Sequence, residues 1–439
     1  MLEHVRIDKM VNGGYGLARL QSGKIVLVEG AYPGEEVLIK TFREKKDFAF
    51  GKVVSLIKES EDRIKPPCKY FGRCGGCHWM DIRYEKQLLY KKAIIEDLFE
   101  RVGLSVEVED VEPSDLVFHY RTKMEFHLQR RRLGLKQRGS DLVIDVRSCE
   151  VAPEGTNEIL EIIRKAIRVL NIPVYNRLTK RGVLKHVVVR YAFGTDQLMV
   201  IFVTKTESFP WGKSLVQAIL KGLPKVHSII HVMNSKDSIV LRGPYRTLYG
   251  EGVIVEEFDW EKFQIPPTAF FQSNYSVTSK LIDHVYRELD LRGNEVVLDL
   301  YAGIGTFSVR TSYSSAKVVA VESNRIAVKA GKANSNVNGR KNIEYVESDV
   351  REFLKSYRGR ANRVILDPPR SGAGLDVMKE ISKLSPERVV YVSCEPSTLV
   401  RDVQFLQKEG YSIERVKPFD MFPQTYHVET VVTLVKEEQ

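Results

Sequence analysis

The chain has 439 residues, of which 43% are hydrophobic, and it carries a formal net charge of +10 at pH 7. This length exceeds what one compact core usually fills, so we expect two to four domains. No segment has the basic lead, apolar middle and small-residue cleavage site of a signal peptide, and no apolar run reaches the roughly 20 residues that span a membrane. We therefore expect a cytoplasmic protein without a membrane segment, and a monomer as the default.

The excess positive charge is clustered along the sequence. Residues 40–46 contain four basic side chains and residues 130–138 contain five. Clustered lysine and arginine side chains suit a phosphate backbone, although a solvated surface gives a similar excess. The charge pattern therefore favours a polyanionic partner such as RNA.

Residues 1–60 contain short β-like segments separated by glycine-rich turns. The five predicted strands lie at residues 4–8, 16–20, 24–28, 36–41 and 51–57. Short strands with turn residues between them are typical of a small closed barrel. We predict an N-terminal domain of the oligonucleotide-binding (OB-like) barrel type.

Four of the five cysteines form one set in the N-terminal half of the chain. Cys68, Cys74 and Cys77 lie within ten residues, and Cys149 follows at a distance. In a reducing compartment such cysteines serve as metal ligands more often than as disulfides. Zinc and an iron–sulfur cluster both accept four thiolates, so the spacing leaves the two open.

Residues 61–264 are predicted to form a mixed α/β central domain that contains these cysteines. Within it, apolar residues recur at helical spacing over residues 84–101. We predict a helix there and expect it to pack on the C-terminal domain.

Residues 265–439 alternate apolar strands with helix-length segments. The predicted strands lie at residues 296–300, 317–322, 343–346, 363–366 and 388–393. This alternation indicates a doubly wound parallel sheet with helices on both faces.

The first of these strands leads into a turn suited to a nucleoside ligand. Gly303 and Gly305 let the backbone approach a ligand, and Glu322 ends the second strand where a ribose hydroxyl pair would bind. A dinucleotide-binding turn would need a third glycine where this chain has Ser308. With Asp299 before the turn, the pattern resembles that of S-adenosylmethionine-dependent methyltransferases.

Further polar side chains follow the next strands in order. Asp349 comes after the third strand, Asp367 after the fourth and Cys394 after the fifth. Ligands bind at the carboxyl ends of the strands in open α/β sheets. Arg370 stands where amino-methylating enzymes carry an aromatic residue, which disfavours methylation of an adenine amine.

A cysteine and a carboxylate beside a methyl donor have a definite chemical use. Carbon 5 of uracil is a weak nucleophile until a thiolate adds to carbon 6. A base must then remove the carbon 5 proton. Residues 420–430 contain a carboxylate and a histidine, just before the last predicted strand at residues 431–435, and either could act as this base. Cytosine methylation also uses a cysteine adduct, so this chemistry leaves both bases open.

The ordered motifs closely resemble the bacterial RNA uracil-5-methyltransferases over essentially the whole chain. They are the TRAM-like barrel, the Cys-x5-Cys-Gly-Gly-Cys run with its distant fourth cysteine, and residues 271–274, 298–308, 366–370, 393–399 and 420–430. The resemblance implies an S-adenosylmethionine-dependent enzyme that forms 5-methyluridine in structured RNA. Ribosomal RNA, 23S in particular, is preferred and transfer RNA is possible. A non-catalytic RNA-binding or assembly factor on the same fold is the main alternative.

The resemblance also implies roles for individual residues. Cys394 corresponds to the nucleophile and Glu429 to the base. The methyl donor would be bound by Gln272, Tyr301, Thr306, Glu322, Asp349 and Asp367. Asp367 would also bond the uracil edge, and Phe270 would stack on a flipped base or pack in the core. The four clustered cysteines would hold a 4Fe-4S cluster.

Overall fold

Three large β-sheets and one hairpin organise the chain in the computed structural model, which describes residues 2–236 and 240–437. Within those ranges the secondary structure comprises 22 strands and nine helices. No helix there is long and apolar enough to cross a membrane.

The N-terminal sheet is rolled into a small barrel. Its strands are β1 (Leu2–Arg6), β2 (Lys9–Val11), β3 (Tyr15–Arg19), β4 (Ile25–Glu29), β5 (Glu36–Glu44) and β6 (Phe48–Lys58), in the order β1-β5-β6-β4-β3-β2. Two residues connect β1 to β2 and can span at most about 11 Å. The edges of a flat six-stranded sheet lie roughly 24 Å apart, so the two edge strands must approach each other. The three-residue β2 was not predicted, because it is too short to display an alternating pattern.

Helix α1 (Tyr84–Arg101) has the predicted bounds and lies between the barrel and the C-terminal sheet. Ile94 packs with barrel residues such as Met10, whereas Ile95 and Phe99 belong to the core of the C-terminal sheet. Just beyond the helix, the side chain of Gln404 donates a hydrogen bond to the Val102 carbonyl at 3.0 Å.

The central sheet has seven strands and two helices. In chain order they are β7 (Lys123–Gln129), β8 (Arg132–Lys136), β9 (Val143–Asp145), α2 (Glu154–Val169), β10 (Leu184–Ala192), β11 (Gln197–Thr204), α3 (Gly212–Gly222), β12 (Val226–Met233) and β13 (Tyr245–Gly250). The strand order is β13-β12-β11-β10-β7-β8-β9, with β11 and β12 parallel. Mixed α/β structure is therefore present here, as the sequence predicts.

A hairpin joins the central and C-terminal sheets. It consists of β14 (Ile254–Phe258) and β15 (Glu261–Ile265). Phe258 and Phe263 share one hydrophobic core with Val188 of β10 and with residues of the C-terminal sheet. The two sheets are thus packed together through a continuous apolar interior.

The C-terminal sheet follows the alternating pattern. Its elements are α4 (Tyr275–Glu288), β16 (Val296–Leu300), α5 (Thr306–Thr311), β17 (Lys317–Glu322), α6 (Arg325–Val337), β18 (Ile343–Glu347), α7 (Val350–Ser356), β19 (Arg363–Leu366), α8 (Leu375–Leu384), β20 (Arg388–Ser393), α9 (Pro396–Lys408), β21 (Tyr411–Phe419) and β22 (Glu429–Lys436). The order is β18-β17-β16-β19-β20-β22-β21. Strands β16–β20 are parallel, which confirms the predicted Rossmann-like sheet.

Strands β21 and β22 differ from the prediction. The last strand begins at Glu429, two residues earlier than predicted, and it runs antiparallel to β20. Strand β21 was not predicted, because it is an edge strand with several exposed charges and a proline. Such features are tolerated at a sheet edge and disguise a strand in the sequence.

Candidate active site

The carboxyl ends of the five parallel strands bring the predicted residues to one edge of the sheet. Tyr301 follows β16, Glu322 ends β17 and Asp349 lies two residues beyond β18. Asp367 and Cys394 follow β19 and β20. All five line one cavity of about 1200 Å³. The ordered acids and the thiol therefore share one site, as expected for an open α/β sheet.

The antiparallel strand β22 brings a further carboxylate to the same edge. Ser393 of β20 is paired with Thr430 of β22. Cys394 is the first residue after β20 and Glu429 is the first residue of β22, so continuing this register by one step would set them opposite each other. Residues directly opposite in an antiparallel pair have Cα atoms roughly 4.5–5.5 Å apart and side chains on the same face. Both side chains line the cavity.

The electrostatic environment links this pair to Arg370. Burial raises the pKa of Cys394 to about 12, the charge of Glu429 acts in the same direction, and Arg370 opposes both. Burial and then the charge of Asp367 raise the pKa of Glu429, and Arg370 again lowers it. Arg370 was considered in the sequence only as a missing aromatic residue. The sequence clue to its role was its position three residues after Asp367, at the end of a parallel strand, where ligand-binding residues are expected.

His427, the alternative base, lies in a different environment. Burial, followed by the charge of Arg370, lowers the pKa of His427 to about 3. Its ring packs against Tyr426 and Phe422, with ring centroids 4.3 and 5.9 Å away. His427 is not one of the described residues that line the cavity. The geometry therefore favours Glu429.

The turn after β16 is built from left-handed backbone. Tyr301, Gly303 and Gly305 have φ angles of 68°, 54° and 88°. A Cβ atom on Gly305 would lie 2.1 Å from the Tyr345 hydroxyl oxygen, whereas one on Gly303 would meet nothing within 4 Å. Gly303 lines the cavity, and its N–H donates to the Glu322 carboxylate at 3.1 Å.

Two carboxyl groups lie near the turn, the buried Asp299 and the half-buried Asp367 that lines the cavity. Burial raises the pKa of Asp299 to about 7. The Ser308 hydroxyl donates a hydrogen bond of 2.5 Å to the Asp299 carboxylate, which partly opposes this rise in pKa. Burial and the charge of Asp299 raise the pKa of Asp367 to about 7. The side-chain amide of Gln272 donates to Asp367 at 3.3 Å, which holds the two cavity residues together.

Phe270 and Thr306 have different surroundings. Phe270 lines the cavity with 63% of its surface exposed, so core packing does not account for its position. Thr306 is the first residue of α5 and is half-buried. Among the described residues, the cavity lining includes the other predicted methyl-donor ligands but not Thr306.

The four clustered cysteines line the same cavity as Cys394. Burial raises the pKa of the Cys77 thiol, and the charges of Cys149, Cys74 and Cys68 add to that rise. The thiols thus lie within electrostatic range of one another. In residues 2–236 and 240–437, however, no three His, Cys, Asp or Glu side chains are already grouped closely enough to hold a metal ion.

Comparison with known proteins connects this site to a family. A sequence profile described as tRNA (uracil-5-)-methyltransferase matches residues 253–437, and a TRAM domain profile matches residues 4–54. A Thermotoga maritima protein, named as an uncharacterized RNA methyltransferase, is 78% identical over the full length of both chains. This chain belongs to the RNA uracil-5-methyltransferase family. A Clostridium tetani relative with the same name is 34% identical, over 98% of this chain and 95% of the relative.

One solved structure of a family member matches nearly the whole chain. It is the Pyrococcus abyssi tRNA (uracil-54, C5)-methyltransferase in complex with S-adenosyl-L-homocysteine. The two chains are 28% identical, with a TM-score of 0.80, over 98% of this chain and 100% of the other. The predictions of an RNA methyltransferase with a TRAM barrel and a Rossmann-like domain are therefore confirmed.

Proposed function

We propose that this family member transfers a methyl group from S-adenosylmethionine to carbon 5 of a uridine in structured RNA, through a covalent adduct with Cys394. The observation that carries the proposal is that the ends of β20 and β22 bring Cys394 and Glu429 into the cavity lined by the strand-end acids, where the charge of Glu429 acts on the pKa of Cys394. A thiol and a carboxylate on either side of one base suit addition and proton removal.

The proposed reaction uses these two side chains in turn. The Cys394 thiolate bonds to carbon 6 of uracil, and the displaced electron pair moves to carbon 5. Carbon 5 takes the methyl group from the sulfonium of the donor, whose sulfur–methyl bond breaks to release S-adenosyl-L-homocysteine. Glu429 then accepts the carbon 5 proton. The electrons left there restore the 5,6 double bond and expel Cys394 as a thiolate. A carboxylate whose pKa is raised by burial is a stronger base for this step than a solvated one.

Activation of the thiol would depend on Arg370. Because burial raises the pKa of Cys394 to about 12, the free protein holds a protonated thiol at neutral pH. Arg370 acts against this shift and would stabilise the thiolate as the base enters. Phe270, exposed at the cavity wall, would stack on the flipped uracil.

The methyl donor would occupy the part of the cavity formed by the strand ends. S-adenosylmethionine would supply an electrophilic methyl group there. Glu322 would accept hydrogen bonds from the ribose hydroxyls, and the open face of Gly303 would allow the donor to approach closely. Tyr301, Asp349, Gln272 and Asp367 complete the proposed donor site. The binding of S-adenosyl-L-homocysteine, the product of methyl transfer, by the similar P. abyssi enzyme supports this assignment.

We propose a uridine of ribosomal RNA, 23S in particular, as the substrate, since the barrel and the four cysteines together resemble the ribosomal members. Transfer RNA is the second candidate, because the family profile and the P. abyssi enzyme are both named for it. The barrel and the basic stretches would hold either RNA through its phosphates.

We further propose that Cys68, Cys74, Cys77 and Cys149 hold a 4Fe-4S cluster. The proposal is supported by four thiols that line one cavity and influence one another electrostatically. Such a cluster would cross-link the cysteine run to the central sheet. Iron and sulfide analysis of anaerobically purified protein should give about four of each per chain. Zinc in place of iron would contradict the assignment.

One assay tests the reaction and its substrate. Labelled S-adenosylmethionine is incubated with unmodified ribosomal RNA and with unmodified transfer RNA, and the digested nucleosides are resolved by mass spectrometry. We expect labelled 5-methyluridine from one fraction. Label in 5-methylcytidine would refute the choice of base, and no label with cluster-loaded protein would favour a non-catalytic RNA-binding factor.

Two variants test the adduct. Cys394→Ala should bind the methyl donor and RNA normally but show no turnover. Glu429→Gln should instead accumulate a covalent RNA–protein species visible on a denaturing gel, because proton removal is blocked after methyl transfer. Normal turnover of Glu429→Gln would show that another group removes the proton.

A further inference from the structure

Four aromatic side chains form a row on the surface of the N-terminal barrel. This aromatic row consists of Tyr15, Phe50, Phe48 and Phe42. The ring centroid of Phe50 lies 5.5 Å from that of Tyr15, 5.3 Å from that of Phe48 and 6.2 Å from that of Phe42. Tyr15, Phe48 and Phe50 are half-buried, whereas Phe42 is 61% exposed.

The folding of the barrel does not account for these rings. Its described core consists of aliphatic side chains such as Val26, Val37 and Ile39, and none of the four rings is part of it. Clustered aromatic rings at a surface mark a site of interaction, because exposing them to water costs free energy without stabilising the fold.

Basic side chains lie over two rings of the row. The Arg43 guanidinium carbon lies 5.8 Å from the Phe50 ring centroid, and the Lys45 ammonium nitrogen lies 5.0 Å from that of Phe48. Both side chains are exposed, as are the neighbouring Lys40 and Lys46. A surface that combines stacked rings with positive charge is complementary to unpaired nucleotides, whose bases stack and whose phosphates are negative.

The inner end of the row meets the candidate active site. In the turn just before Tyr15, the Asn12 side-chain amide donates to the Glu395 carboxylate at 3.0 Å. Gly14 is packed against Tyr426, since a Cβ atom there would lie 2.5 Å from that ring. Glu395 is the residue after Cys394. The aromatic row is therefore connected, through the turn before Tyr15, to the segment that follows Cys394.

We propose that the aromatic row is a stacking platform for unpaired nucleotides that flank the target uridine. This proposal rests on the proposed function, because it assigns the row to the same RNA. The rings would hold neighbouring bases by their faces, Arg43 and Lys45 would contact the phosphates, and the path from the row to Cys394 would fix the position of the target. The platform is tolerant of sequence, since every base has a face on which to stack.

A binding experiment with substitutions at Phe42 tests the platform. The probe is a labelled single-stranded oligouridylate of about twelve nucleotides, compared with a duplex RNA of equal length. Phe42→Leu keeps an apolar side chain but removes the aromatic face, and it should weaken single-strand binding about tenfold. Phe42→Trp should restore binding to the wild-type level. Duplex affinity should change little in both variants.

A second experiment separates this proposal from the proposed function. With the natural RNA, Phe42→Leu should raise KM about tenfold and leave kcat at saturating RNA unchanged. Arg43→Gln should lower the dependence of log affinity on log salt by about 0.7, the contribution of one phosphate contact on a single strand.

Each alternative outcome is distinct. Unchanged oligouridylate affinity and KM in Phe42→Leu would overturn the platform while 5-methyluridine formation by the wild type leaves the proposed function intact. Equal loss of single-strand and duplex binding would also overturn it, because stacking requires unpaired bases. If wild-type protein sediments as a dimer and Phe42→Leu as a monomer with unchanged RNA affinity, the row is an interface between copies of this chain.

Discussion

The ion pair between Lys91 and Asp420 connects helix α1 to the segment before Glu429, and substituting Lys91 tests whether this connection positions the active site. The Lys91 ammonium donates to the Asp420 carboxylate at 2.5 Å and to the Phe422 carbonyl at 3.2 Å. Both charged side chains are fully buried. Residues 420–428 lead directly to Glu429, so this pair ties the helix to the segment that carries the proposed base.

Replacing Lys91 with methionine keeps most of the side-chain volume but removes the positive charge. Asp420 would then be a buried carboxylate without a compensating charge. Removal of one partner from a buried pair typically costs about 3–5 kcal/mol, and we expect the free energy of unfolding to fall by that amount. We also expect kcat to decrease, because the segment before Glu429 loses its anchor.

Denaturant unfolding, followed by fluorescence and circular dichroism together, measures the effect. The double variant Lys91→Met with Asp420→Leu should recover most of the stability, since no unpaired charge remains. Lys92→Met is a matched control, because the adjacent Lys92 pairs with the exposed Asp110 and loss of that pair should change stability little. A stability loss below about 1 kcal/mol in Lys91→Met would refute the reasoning.

Three further predictions concern the residues around the cavity. Gly303→Ala should lose about 1–2 kcal/mol of stability, because its backbone is left-handed, and should bind S-adenosylmethionine poorly in calorimetry. Gly305→Ala should lose about 1–3 kcal/mol more, because its Cβ atom also clashes with the Tyr345 hydroxyl group, and equal stability of the two variants would contradict this. Burial raises the pKa of Asp299 to about 7, so its contribution to stability is complete below about pH 4 and is lost as pH rises to about 7. The unfolding free energy of Asp299→Asn should therefore increase relative to that of the wild type as pH rises over this range. A difference that does not change with pH would contradict the raised pKa of Asp299. Arg370→Gln should slow alkylation of Cys394 by iodoacetamide at pH 8, because the charge that lowers the pKa of the thiol is lost, and an unchanged rate would show that Arg370 does not act on Cys394.

Buried strands and helices were predicted well, because burial requires apolar residues in a pattern that is recognisable within a few positions of the sequence. Strands such as β16 and β20 are covered on both faces, so they are continuous apolar runs with clear ends. Helix α1 was equally visible, since its apolar residues recur at helical spacing. Strand β21 lies at the sheet edge, where exposed charges interrupt the pattern, and β2 is too short to show one.

The candidate site residues were also predicted from local patterns. The part played by Arg370 was missed, because it depends on contacts between distant segments. Glu322 and Asp367 could be placed because each ends or follows a parallel strand. Arg370 could not be given a part, since its effect on Cys394 and Glu429 arises from the folding of three separate segments. The position of Phe270 on the cavity wall, rather than in the core, was likewise undecided by sequence.

The sequence by itself determined the parallel sheet, the glycine turn and the order of polar residues at the strand ends, because each follows from residue types within a few positions of one another. Only the tertiary structure decided that Glu429 and Cys394 line one cavity, since the antiparallel register between β20 and β22 joins residues far apart in the chain. It also decided that Cys68, Cys74, Cys77 and Cys149 line the same cavity as Cys394, and that the barrel turn at Asn12 contacts the adjacent Glu395. Such contacts depend on how whole sheets pack, and no local pattern encodes that packing.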